Sequence, residues 1–165
     1  MTQNTTGADG TYTTNGTPHG STALTPHLVV NPAAEAIAFY RDVFGARVVD
    51  VTEMGGIVAH AVLDFGNGML TLGDPMPELG LIPLDPAAGH QYSMALYCPD
   101  VDAVTARAQA AGATVREASA TFVSGDRYAS LLDPFGVRWT IMTRVDDLSP
   151  EESAARVAEW AAAQG

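Results

Sequence analysis

The sequence predicts an α+β fold: two βαβββ modules in tandem, at 23–75 and 92–145, and a C-terminal helix at 146–165. Three observations predict it. Offset by about 68 residues the chain matches itself weakly, "TPHLVVNPAAEAIAFY" from Thr25 falling on "SMALYCPDVDAVTARA" from Ser93. In both copies a short apolar run passes into a stretch with helical spacing and then into alternating runs. Both copies also carry a hairpin turn at the same place, "GNG" at 66–68 and "DPFG" at 133–136.

In the first module residues 26–30 read as a strand. Asn31 is placed to cap a helix and Pro32 to open its first turn. Ala33, Ile37, Tyr40, Val43 and Phe44 make one apolar face, and Gly45 supplies a left-handed stop. Strands are expected at 47–52, 57–65 and 69–73.

The second module repeats this. Asp100 caps a helix whose stripe is Val101, Val104, Ala108 and Ala111, with Gly112 ending it, and a last strand runs over 137–143. Residues 76–91 form a Pro- and Gly-rich linker. In the terminal helix Ser149 caps, Pro150 takes the first position, and Trp160 is expected to pack back on the body. Residues 1–22, rich in Thr, Gly and Asn, read as a disordered tail or a remnant of expression. They have neither the basic start nor the apolar stretch of a secretory signal.

Composition narrows the function. The net charge of −11 repels phosphate backbones, so neither nucleic acid nor an anionic membrane is expected as a partner. No apolar run is long enough to span a bilayer. The lone Cys98, read as a buried core thiol, fits a reducing cytoplasm.

The wording of several stretches resembles one family. "AIAFYRDVFGARVV", "HAVLDFGNGMLTLGDP" and "GDRYASLLDPFGVRWTIMTRVDDLSPEE" look like the PhnB-like glyoxalase/bleomycin-resistance branch of the vicinal oxygen chelate superfamily. The likeness spans about residues 24–153. It implies two half-barrel sheets around a cavity, and a homodimer as many members form. Where members hold a metal, it implies four ligands, one from the first and one from the last strand of each module.

Those four positions fall on Thr25, Leu72, Ser93 and Thr140, with Thr71 replacing Leu72 if the register slips by one. Hydroxyls and an alkyl chain are poor ligands for a divalent ion, which takes imidazole, carboxylate or thiolate. No metal or other cofactor is therefore expected.

Strand alternation then sorts the remaining candidates. His27 shares a face with Thr25 and Val29. His60 and Asp64 share a face, with Ala61, Leu63 and Phe65 on the other. Tyr97 goes with Ser93 and Ala95, and Arg138 with Thr140 and Met142. Tyr128 is the repeat partner of His60. The expected ligand-binding set is His27, His60, Asp64, Tyr97, Tyr128 and Arg138, a lining suited to a planar or aromatic compound. For either histidine the alternative is a neutral imidazole satisfied locally. His60 and Asp64 lie roughly 13 Å apart along the strand and form no dyad. His19 and His90 are expected to be solvated, His90 with some reach to a pocket mouth.

No P-loop, GxGxxG, HExxH, CxxC or GxSxG occurs. Two readings lead, and a third, an interaction protein without a ligand, also stays open. One is a small-molecule binder without the usual metal. The other is a lyase, isomerase or dioxygenase using shifted ligands or acid–base residues such as His27, His60 and Tyr128.

Overall fold

The computed structural model describes residues 6–165. The first module runs β3 (His27–Val29), α1 (Ala33–Phe44), β4 (Arg47–Met54), β5 (Ile57–Asp64) and β6 (Met69–Gly73), after a small hairpin of β1 (Thr13–Thr14) and β2 (Thr17–Pro18). The second runs β7 (Met94–Tyr97), α2 (Val101–Ala110), β8 (Thr114–Thr121), β9 (Asp126–Leu132) and β10 (Arg138–Arg144), and α3 (Pro150–Ala162) follows. The sheets have the same topology, β3-β6-β5-β4 and β7-β10-β9-β8, each with its first strand parallel to its last. The predicted tandem α+β fold with its C-terminal helix is therefore present.

Alternation along the strands divides each sheet into a packed and an open face. Leu28, Ala61, Leu63 and Leu72 pack inward in the first sheet, and Ala129, Leu131, Trp139 and Ile141 in the second. The modules share an aromatic seam. Trp139 of β10 lies 4.7 Å from Phe44 and 5.3 Å from Tyr40, ring centre to ring centre, both on α1. Asp133 sits buried beside it in the DPFG turn. One carboxylate oxygen accepts from the Phe135 and Val137 amides at 2.9 and 2.8 Å. The other accepts from Tyr40 Oη at 2.7 Å and Trp139 Nε1 at 2.9 Å. Burial pushes the carboxyl's pKa up, and these four donors oppose the shift.

Several sequence expectations need correction. Pro32, not Asn31, is the N-cap of α1 and lends it no side-chain bond. Asp74, distant in sequence, caps the helix instead, accepting from Ala33 N at 2.9 Å while its other oxygen accepts from Val58 N at 2.8 Å. Ala111 is the exposed C-cap residue of α2, and Ala113, 6% exposed, is the buried residue beyond it. Cys98 is half-buried, because it follows directly on β7, the sheet's edge strand; its Sγ lies 3.8 Å from Thr143 Oγ1. His90 is half-buried rather than solvated, its Nε2 shielded and without a partner among the described residues. His19 bonds Thr14 at 2.8 Å across the N-terminal hairpin.

The predicted tail, 1–22, carries that hairpin, although nearly all its described residues are exposed; its first five lie outside the described residues. Trp160 meets Phe122 edge-on at 5.0 Å and stays 43% exposed.

Candidate functional site

The open faces of the two sheets carry the polar and aromatic residues. Leu28 is 1% exposed, so strand alternation turns His27 to the other side. There it stands in register with Thr71 of β6, its Nδ1 2.9 Å from the Thr71 hydroxyl. That hydroxyl donates to the Pro26 carbonyl at 3.1 Å. It therefore accepts from His27 Nδ1–H, and in the neutral ring the lone pair lies on Nε2. His60 projects from β5 with its ring 6.0 Å from that of His27, centre to centre, and nearly parallel at 8°. Partial desolvation holds His27 below its ordinary pKa, and the neighbouring His60 adds to the depression.

The second sheet presents a different array. Tyr97 and Tyr128 flank Met142 in register across three strands. The Tyr97 hydroxyl donates to Asp126 Oδ1 at 3.2 Å, which also takes Arg144 Nε at 2.9 Å. Arg138 reaches Glu117 at 3.2 Å and the Ser130 hydroxyl at 3.3 Å. Asp126 and Arg144 are residues that sequence reasoning missed. Arg144 has the same strand parity as Arg138 and Met142, which was the available signal. Asp126 opens β9 two residues before Tyr128, on the same strand parity and in register with Arg144, so the same signal was available for it.

The six predicted residues do not converge. His27 and His60 pair on one sheet, while Tyr97, Tyr128 and Arg138 lie on the other. Asp64 is committed elsewhere: it accepts from Arg47 and from the Gly66 amide, both at 2.7 Å, and so holds the β5–β6 turn. The Gly66 bond first, then Arg47, keeps its pKa below the usual carboxylate value.

The strand register also bears on one of the four expected ligand positions. His27 pairs with Thr71 as Ala95 pairs with Thr140, so Thr71, not the fully buried Leu72, is the repeat partner of Thr140. The donors there are Thr25, Thr71, Ser93 and Thr140. The Thr25 hydroxyl is bonded to that of Thr22 at 2.8 Å, and Thr71 is held by His27 and Pro26. These neutral hydroxyls do not fit a divalent ion. Among the described residues no three His, Cys, Asp or Glu side chains gather as a metal would require.

Residues 19–141 match the family model of the glyoxalase/bleomycin resistance protein/dioxygenase superfamily. The chain belongs to this superfamily. A relative from Mycobacterium bovis, described as an uncharacterized protein, is 36% identical over 142 residues, or 81% of this chain and 90% of the relative. Among solved structures, TioX from Micromonospora sp. ML1 aligns with a TM-score of 0.58 at 23% identity, over 75% of this chain and 99% of TioX. A PhnB protein from Bacillus cereus aligns with a TM-score of 0.59 at 19% identity, over 74% of this chain and 99% of its own. Both likenesses concern the superfamily fold. At the four expected positions this chain carries the hydroxyl residues Thr25, Thr71, Ser93 and Thr140.

Proposed function

We propose that this protein binds a planar or aromatic small molecule on the open sheet faces, as a PhnB-like member without a metal at the usual positions. The observation that carries the proposal is the hydroxyl set Thr25, Thr71, Ser93 and Thr140, two of whose members are already bonded within the protein. The faces nevertheless offer what a ring-bearing ligand needs. These are an imidazole pair with a free lone pair at His27 Nε2, the phenols of Tyr97 and Tyr128, and the Arg138 guanidinium.

A homodimer in the cytoplasm completes the proposal. The chain exposes 10116 Å², against about 7,800 Å² for a compact monomer of its 17.2 kDa. The exposed residues include the N-terminal segment, most of α3 and the open sheet faces, and a second copy would cover the last of these. Arginine and carboxylate pairs on those faces also argue against nucleic acid as the partner.

Native mass spectrometry of the purified protein tests this directly. A dimer mass, an organic adduct and no stoichiometric metal are expected. A chain carrying one equivalent of divalent metal would overturn the proposal and bring forward a lyase, isomerase or dioxygenase working through His27 and His60.

A further inference from the structure

We infer that the seam between the modules is a second binding site, built for an uncharged, largely apolar ring compound. A cavity of about 510 Å³ opens there, inside the range of small-molecule pockets. Of the six residues discussed above only Tyr97 reaches it, so it is distinct from the His27–His60 face. Its walls come from four separated stretches: the approach to β3, the β5–β6 turn with the start of β6, strand β7, and Trp139 of β10.

The lining chemistry selects the ligand. The half-buried Phe65, Met69, Met94 and Leu96 supply apolar surface over the buried Leu70 and Trp139, and no lining residue is ionisable as an acid or base near neutral pH. In a chain of net charge −11 a charge-free wall is a local departure. An ion entering it would lose hydration and find no counter-charge. The polar atoms present are mostly spent. The Trp139 indole N–H is bonded to Asp133 at 2.9 Å, so Trp139 offers only its apolar ring. The Thr22 hydroxyl is bonded to Thr25 at 2.8 Å, and that of Tyr97 to Asp126 at 3.2 Å. The Asn67 amide at the rim has no side-chain partner among the described residues, and it can hold one polar atom of a guest. Two methionines beside two aromatic rings give a polarizable, adaptable wall that suits flat rings.

The test uses the neutral fluorophore N-phenyl-1-naphthylamine and the full chain. Its emission should rise saturably, with one site per chain. With ¹³C-methyl methionine, intermolecular NOEs should reach the methyls of Met69 and Met94 and not those of Met54 or Met142. Gly68→Phe places a ring at the wall, where an added Cβ meets no atom within 4 Å, and should weaken the probe about tenfold or more. The inference is overturned by emission that rises without saturating, or by NOEs to Met54 or Met142. Loss of binding in His27→Ala would equally overturn it, because the probe would then sit on the open face. The native-mass experiment on metal and adduct is separate, so either reading can fail without the other.

Discussion

The Tyr40 hydroxyl, on the first module's helix, donates a 2.7 Å hydrogen bond to Asp133 in the second module's last hairpin. It is a polar lock within an aromatic seam, and the carboxylate it serves is 4% exposed. Removing the hydroxyl with Tyr40→Phe keeps the ring packing and deletes one bond to a buried acid. A loss of about 1.5–3 kcal/mol in urea unfolding is expected. Asp133→Ala strands four donors and should cost more than about 3 kcal/mol, since each buried unsatisfied donor costs ~1–3. Equal, small losses in both variants would show that the seam is held by its rings alone.

Asp74 joins the start of α1 to β5 by accepting from Ala33 N and Val58 N. Asp74→Ala should cost about 1–2 kcal/mol, the range of a lost N-cap. Asp74→Asn should fall between, because the amide retains one acceptor oxygen. Asn31→Ala should change stability little, since Asn31 makes no cap. Denaturant midpoints of the three variants decide the order.

These two acids mark the limit of what the sequence discloses. Helical spacing and strand alternation are local signals, so the module order, the core faces and the Gly45 and Gly66–Gly68 turns were legible. The stop at Gly45 is left-handed, with φ at 77°. Asp74 as a cap and Asp133 as a lock depend on contacts between distant segments, which periodicity does not carry. The site shows the same division. Parity placed His27 and His60 on one face, but only the register across β3, β6 and β5 brings their rings to 6.0 Å. Parity also could not reveal that Asp64 is spent on Arg47 and the turn.

His27 should titrate below its ordinary value near 6.5. His60→Ala should raise the midpoint only part of the way, because burial is the larger cause and His60 the lesser. The sign for stability follows. The folded state disfavours the imidazolium, so the unfolded chain binds more protons in this window. The stability tied to neutral His27 is complete above the unfolded pKa and is lost as pH falls through the folded one. Proton NMR of the imidazole signals measures both midpoints. A His27 midpoint above 6.5 would contradict the desolvated pair.

Asp102 accepts two bonds from Arg127, at 2.8 and 2.9 Å, and a further bond from Ser119. With Arg127 the main cause, its pKa falls to about 2. Its contribution to stability is therefore complete above the ordinary 3.8 and is lost as pH drops from there toward about 2. Arg127→Gln should return the Asp102 midpoint toward 3.8 by carboxyl NMR. A midpoint left near 2 would assign the depression to Ser119 instead.

His27→Ala tests whether the imidazole pair is a pocket wall or a metal site. Two imidazoles and a threonine hydroxyl give only two good donors, and a divalent ion needs three or four in fixed geometry to survive purification. The Thr71 hydroxyl is further committed to Pro26, which fixes His27 through Nδ1 and leaves a single lone pair at Nε2. A site with one oriented acceptor suits a ligand N–H or O–H better than a cation shared with a near-parallel ring 6.0 Å away. Elemental analysis of wild type and His27→Ala should therefore give the same background metal content. Calorimetry with whichever compound co-purifies should show weaker binding in the variant. A stoichiometric metal lost on substitution would make His27 a ligand and remove the argument from the hydroxyl set.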